Sequence, residues 1–352
     1  MTKKKDLAVP FLPSWQTRFL HAVDHYPVSN IVVYFALFTG IGFFQHLIPW
    51  MEGRLPWGQV EWRHFNFLMP AFIVFTAFSV VLAYSEKTMA KFRKALNVSE
   101  TEYALLSYQF LNLPASTGWL ITIALAALIA FIYKTPVFQS VYPANLLLGV
   151  SGLLIFVVSW LGLSVVFAFF VFVLRQTRLV GQLYARVQNI NLFNLGPLYT
   201  LSLLTSRVGT LFIIVGTLSF INNFLLVKGD PQVQINIFFG VINVALAAAL
   251  FILPLLGIHQ RLVTKKEELL SEAGERVRAA FDRLNKEQAT GRLNEIGNTR
   301  QLVDAMIRER EYIQAVPTWP WNAGTLRTFL TTLLVPLTVW LIQQVVLRTV
   351  VK

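Results

Sequence analysis

The sequence predicts an all-α, polytopic integral membrane protein with seven transmembrane helices. Hydrophobic residues make up 55% of its 352 residues and charged residues only 14%, whereas charged residues form about 25% of an ordinary soluble domain. Seven apolar stretches also lack Asp, Glu, Lys and Arg throughout. Each is close to the ~20 residues that a helix needs to cross the hydrocarbon core of a bilayer. Composition and stretch length therefore both favour a multi-pass protein.

The seven apolar stretches define the predicted spans one to seven. Backbone N–H and C=O groups inside lipid have no water to bind, so each span must form its hydrogen bonds internally as a helix. The third stretch is short and the fourth is long for a single crossing. In chain order the spans cover residues 31–51, 65–84, 117–133, 146–174, 208–227, 235–258 and 329–347.

The basic residues of the loops predict the orientation of the chain. Alternate segments, beginning with the N-terminal one, contain 24 of the 30 Lys and Arg residues, and the segments between them contain 6. Basic residues are enriched in the cytoplasmic loops of membrane proteins. The alternation therefore predicts seven crossings, with the N-terminus inside and the C-terminus outside. We expect the inner (cytoplasmic) membrane of a bacterium as the location.

Four regions follow from the spans and their loops. Residues 1–30 are predicted to form a cytoplasmic amphipathic segment, and residues 31–259 hold spans one to six with helical extensions into the cytoplasm. Residues 260–317 are predicted to form a cytoplasmic helical hairpin, because apolar residues recur there every seven positions. Residues 318–352 hold span seven and a short external tail. The heptad positions of the hairpin are Val263, Leu270, Val277 and Leu284, with Ala273 and Ala280 between them.

Local signals predict where three helices begin or end. Span four is expected to continue as a helix toward Asn191, because no proline interrupts the extension. Span five is expected to begin at Gly196 and Pro197, since proline is well tolerated in the first helical turn. Ser99 is expected to cap a short helix that precedes span three.

Side chains that carry most catalytic chemistry are scarce or scattered. The chain has no cysteine, which excludes thiolate metal sites and cysteine nucleophiles. Its histidines include the closely spaced His21 and His25 and the outer pair His46 and His64, but neither pair has an evident third ligand. No catalytic or nucleotide-binding motif occurs. We therefore expect no enzyme activity, no metal and no cofactor.

The hairpin region is nearly neutral in charge. Residues 260–327 contain 12 basic and 10 acidic residues, whereas a nucleic-acid surface needs a clear basic excess. We therefore expect no nucleic acid among the partners. The lipid bilayer and further copies of the same chain are the expected partners.

The absence of acidic residues from the spans bears on transport. Carriers coupled to protons or cations commonly hold an ionisable group at membrane depth, and the spans offer none. The predicted function is therefore an oligomeric channel or another uncoupled pathway, gated through the cytoplasmic helical layer. In topology alone, the chain resembles the insect odorant and gustatory receptor channels, whose cytoplasmic anchor is helical and whose final span lines the pore.

That resemblance implies that span seven lines the pathway. Two prolines, Pro254 and Pro336, are expected to kink the helices through which gating movements would pass. An alternative function stays open, namely a membrane sensor or scaffold that docks a cytoplasmic partner through residues 260–317. The candidate pore-lining residues are Arg327, Trp340, Gln343, Gln344 and Arg348.

Overall fold

The computed structural model describes the backbone of residues 9–133, 135, 142–187, 190–226, 231–290 and 293–350. Within these residues the protein is helical and contains no strand apart from one isolated bridge. Seven of its helical segments are long and apolar enough to cross a membrane. The all-α prediction is thereby confirmed for the described chain, and the seven segments are compatible with a multi-pass membrane protein.

Twelve α-helices are described. Spans one to four correspond to α2, α3, α5 and α6, and span five to α7. Span six is α8, which leads into α9, and span seven is built from α11 and α12. The helices are α1 (Trp15–Asp24), α2 (Asn30–Met51), α3 (Phe65–Phe92), α4 (Glu100–Leu111), α5 (Ala115–Ile132), α6 (Gly149–Ala185), α7 (Gly196–Leu226), α8 (Pro231–Ile252), α9 (Leu256–Ala289), α10 (Leu293–Ala315), α11 (Ala323–Leu333) and α12 (Val335–Val350).

Local sequence signals place two helix starts correctly. Helix α7 begins at Gly196, and the Ser99 side chain accepts a hydrogen bond from the Glu102 N–H at the start of α4, both as predicted.

The predicted extension of α6 toward Asn191 is too long, because the helix ends at Ala185. The guanidinium of Arg261, on α9, donates to the carbonyls of Tyr184 at 2.7 Å and Val187 at 2.5 Å. It thereby satisfies carbonyl groups that the end of a helix leaves unpaired.

The N-terminal helix α1 packs against the protein rather than lying free at its surface. Leu20 and Val23 are buried within the main apolar core. The preceding strand-like residues hold the helix in place, because Ser14 N donates to Leu113 O at 2.7 Å and Ala115 N donates to Leu12 O at 2.8 Å. The amphipathic pattern of this segment therefore reflects burial against α2 and α5.

Helices α9 and α10 pack against each other as a helical hairpin. Ala273 and Ala280 are buried, while Val277 and Leu284 are not fully covered. The partner of the alanine seam is α10 of the same chain, which buries Val303. Small alanine side chains allow the two helix backbones to approach closely, so the seam centres on them rather than on the larger heptad residues.

The main core lies where α3, α6 and α7 meet. Phe78 of α3 packs on Phe172 of α6 with ring centroids 4.7 Å apart. Some polar side chains inside the bundle pair with one another; the Nε2 atom of Gln176 donates to Ser85 Oγ at 2.6 Å. Such pairs satisfy polar side chains where no water is at hand.

Glu52 caps the beginning of α6. Its carboxylate accepts hydrogen bonds from the N–H groups of Val150 at 2.7 Å and Ser151 at 3.3 Å. Arg54 Nε donates to the same carboxylate at 2.8 Å. A negative charge at a helix N-terminus is favoured by the helix dipole and by the unpaired N–H groups there. Gly149, the first residue of α6, has a φ of +64°.

Gly149→Ala should lower the free energy of unfolding by about 1–3 kcal/mol, the range for a non-glycine residue held at positive φ. A Cβ at residue 149 would also lie 2.6 Å from Arg54 Nη2 and 2.7 Å from Glu52 Oε1. Thermal unfolding in detergent micelles measures the loss. Gly53→Ala is the control, because Gly53 has φ of +66° but open space around it. Both variants carry the penalty of positive φ, so crowding against Glu52 and Arg54 should make the loss larger in Gly149→Ala than in Gly53→Ala. Equal losses would contradict that contact.

The Glu52 cap also predicts a dependence of stability on pH. Hydrogen bonds from Ser151, and then from Val150, hold the pKa of the Glu52 carboxyl below its ordinary value, against the effect of burial. Its stabilisation is therefore present above the ordinary carboxyl pKa near 4.5 and is lost as the pH falls through the lowered pKa. When the melting temperature is plotted against pH, Glu52→Gln should flatten the acidic limb of the curve. Glu275→Gln, at an exposed hairpin position, should leave that limb unchanged; an unaltered limb in Glu52→Gln would refute the linkage.

Candidate functional site on the seventh span

Span seven consists of two helices with a break between them. Asn322 caps α11, because its Oδ1 accepts a hydrogen bond from Thr325 N at 2.7 Å. The helix stops at Leu333, and α12 starts at Val335 with Pro336 in its first turn. Proline is tolerated there because the first-turn N–H groups have no partner within the helix.

The second proline singled out by the sequence also lies at a helix irregularity. Pro254 sits in a 3-10 turn over Leu253–Leu255, between α8 and α9. Proline removes a backbone donor and disfavours a continuous α-helix. Both prolines therefore lie where a helix is interrupted, and their part in gating stays a prediction.

One face of span seven packs against the bundle at its beginning. Thr325 and Phe329 are buried. The ring of Phe329 lies 4.4 Å from that of Phe251, on α8. On α7, Gly209 leaves room for the same ring, since a Cβ there would lie 2.8 Å from Phe329 Cε2. This contact fixes α11 to spans five and six.

An aromatic stack joins the start of the hairpin to the start of span seven. The His259 ring lies 3.8 Å from Trp319 at an angle of 8°, and Trp319 lies 4.3 Å from Trp321 at 15°. Trp321 continues the stack onto Phe251, with ring centroids 5.2 Å apart. His259 Nδ1 also lies 3.1 Å from the carbonyl oxygen of Thr318. The stack therefore links α9 mechanically to the segment that enters α11.

The opposite face of span seven is not covered by the rest of the chain. Five residues on this face are spaced alternately by four and three positions. This is the spacing of a helix seam that packs against another helix. All described members are exposed, including Leu334 at 57% and Leu341 at 51%. We call this set the exposed stripe, and it comprises Arg327, Thr331, Leu334, Thr338 and Leu341.

The candidate lining residues do not share one face. Arg327 lies on the exposed stripe, whereas Trp340 is half-buried. The Nε1 atom of Trp340 is buried and has no hydrogen-bond partner among the described residues. The side chains of Gln343, Gln344 and Arg348 lie outside the described ones, although the backbone of all three belongs to α12.

Sequence reasoning missed the two threonines of the exposed stripe. Thr331 and Thr338 carry no charge and lie within an apolar run, so composition gives no reason to single them out. Their spacing relative to Arg327 was the available signal. It becomes informative only once the structure shows which face of the helix the bundle covers.

His46 and His64 lie close together. The rings of His46 and His64 lie 4.7 Å apart. His46 is engaged on both ring nitrogens, by Gly42 O at 2.7 Å and by Glu61 N at 3.2 Å. Within the described chain no group of three histidine, cysteine or carboxylate side chains is placed to hold a metal ion.

Comparisons with known proteins leave the geometry as the basis for inferring function. The chain matches no family model, no curated protein and no solved structure.

Phe329→Ala should lower the free energy of unfolding by about 3–5 kcal/mol, because it removes a fully buried aromatic ring. Since the contact lies at one end of span seven, amide hydrogen exchange in α11 should rise before that of α3. Leu330→Ala, at an exposed neighbouring position, should change the free energy by no more than about 0.5 kcal/mol. Equal effects of the two substitutions would contradict the described packing.

Proposed function

We propose that several copies of this protein assemble around span seven in a membrane and provide an uncoupled pathway for small solutes along that seam. The exposed stripe carries this proposal. Only 11% of the span-seven window is buried within the chain, against 22–56% in the other six candidate spans. A helix this poorly packed and this regularly patterned suits contact with other copies.

The chemistry of the stripe fits helix association in lipid. Lipid tails are as apolar as leucine, so membrane helices associate through close packing and interhelical hydrogen bonds. Thr331 Oγ1 donates to Arg327 O, and Thr338 Oγ1 donates to Leu334 O, each at 3.0 Å. Each hydroxyl oxygen can still accept a hydrogen bond from a neighbour or from water. The two threonines of the stripe can therefore be wetted without trapping an ion.

The pathway is proposed to be uncoupled and not enzymatic. None of the seven spans contains Asp or Glu, and a driving proton or cation commonly needs such a group at membrane depth. The distribution of Lys and Arg supports an N-inside, C-outside orientation in a bacterial inner membrane. In that orientation the hairpin and the aromatic stack face the cytoplasm.

Gating is proposed to pass through the aromatic stack. The stack joins His259, at the beginning of the hairpin helix α9, to Trp319 and Trp321 ahead of span seven. Pro254 lies one turn before His259, at the 3-10 turn where α8 gives way to α9. A movement of the hairpin about that turn would therefore be carried to α11.

The second candidate function is a scaffold that docks a cytoplasmic partner on the hairpin. A groove of about 410 Å³ on α9 and α10 supports it, with Phe281 42% exposed beside Arg278 and Arg310. Phe281→Ser in the full-length protein should then abolish a cross-link to a cellular partner, whereas Leu330→Ser on span seven should keep it. Retention of the partner by Phe281→Ser would exclude this groove.

Cysteine substitutions test the proposed assembly cleanly, because the chain contains no native cysteine. Thr338→Cys should form disulfide-linked dimers in membranes. A charged thiol reagent should lower the conductance of Thr338→Cys in planar bilayers by at least half. Leu337→Cys is the matched control, since Leu337 is exposed but lies about 100° from Thr338.

Leu337→Cys should neither cross-link nor respond to the charged reagent. Purified protein that is strictly monomeric and electrically silent in bilayers would refute the proposed function. Equal cross-linking of Leu337→Cys and Thr338→Cys would refute the stripe as the interface.

A further inference from the structure

We infer that span seven carries a binding site for one anionic phospholipid, with the lipid phosphate on Arg327 and an acyl chain in the groove beside it. The groove has a volume of about 540 Å³ and lies along α11. Its lining is apolar except at one edge, where Arg327 and Thr331 stand. The apolar lining residues are Ala323, Leu326, Leu330, Leu333 and Leu334.

The positive charge of Arg327 favours the binding of an anion at this position. Arg327 is exposed and forms no ion pair with any residue whose side chain the structure describes. It lies about 6 Å along the helix axis beyond Ala323, where α11 begins. Trp319 and Trp321 precede the helix, and tryptophans of this kind mark the headgroup level of a bilayer. The guanidinium therefore stands at or just below the lipid phosphates.

The predicted spans of a second copy cannot supply the counter-charge. All seven predicted spans lack Asp and Glu, so another copy brings no carboxylate to this depth from its spans. A lipid phosphate is present at that depth in every bilayer, and arginine binds phosphate oxygens through two parallel N–H donors. Charge complementarity at Arg327 therefore favours the lipid.

The apolar lining selects an amphiphile over a free anion. Leu326, Leu330 and Leu333 form the wall of the groove, and burying each CH₂ group of a bound acyl chain against such a surface is favourable. Inorganic phosphate would gain the charge contact alone. The combination of a guanidinium and a leucine-lined groove matches a phospholipid with a net negative headgroup.

The lipid site and the exposed stripe can coexist. Leu326, Leu330 and Leu333 lie on the flank of the helix between the stripe and the packed face. The groove shares Arg327, Thr331 and Leu334 with the stripe but does not include Thr338 or Leu341. A lipid can therefore occupy the flank while other copies contact Thr338 and Leu341. The inference concerns binding and does not depend on conduction by the protein.

Lipid binding to the full-length protein in a neutral detergent tests the site. Phosphatidylglycerol and phosphatidylcholine with identical acyl chains are titrated, and the bound lipid is counted by native mass spectrometry. The native protein should bind the anionic lipid at least about fivefold more tightly, as expected for one basic residue at an anionic headgroup. Arg327→Gln should remove this preference, and Arg327→Lys should keep most of it.

Two further variants separate the site from general charge and from folding. Arg178→Gln removes an exposed arginine of α6 that does not line the groove, and it should retain the native preference. Leu330→Trp fills the groove and should weaken the binding of both lipids. An unchanged preference in Arg327→Gln, or no preference in the native protein, would overturn the site. Efficient disulfide dimers of Leu330→Cys at saturating lipid would assign the groove to a second copy instead.

Discussion

The fold follows from the apolar surface that the candidate spans expose, because the chain itself buries only part of it. Every candidate span leaves at least 44% of its window uncovered by the chain, and side chains such as Phe131, which is 78% exposed, lie on those faces. Water cannot solvate so much contiguous apolar area without cost. Lipid can, but it offers no hydrogen bonds to the backbone, so the spans must be helical. Internal pairing also serves individual polar side chains of the bundle, such as Tyr34, whose hydroxyl lies 2.6 Å from that of Ser79.

Span seven combines a firm anchor with a largely uncovered surface. Phe329 and the aromatic stack fix its beginning to α7, α8 and the hairpin, while the exposed stripe and the lipid groove leave the rest of its circumference open. Such a helix can hold its position and still offer contacts to other molecules in the membrane. The hairpin reaches the same anchor through His259, so the proposed control point lies where the hairpin and span seven meet.

Sequence reasoning succeeded where the signal is local. Apolar length identifies the seven spans, Ser99 marks the start of α4, and Gly196 that of α7, because each depends on neighbouring residues. It failed where the deciding partner is remote. Glu52 caps a helix nearly a hundred residues away, and Arg261 of α9 binds a carbonyl at the end of α6. The separation of Arg327 from Trp340 likewise required knowledge of the packed face.

Terminal tags on a functional full-length protein test the central claim most directly. The account holds that lipid solvates seven helices and that the chain crosses the bilayer an odd number of times. A tag at the N-terminus should then be protected from protease added outside intact cells, and a tag at the C-terminus should be cleaved. Protection of both tags, or cleavage of both, would contradict the seven-span arrangement and the roles derived from it.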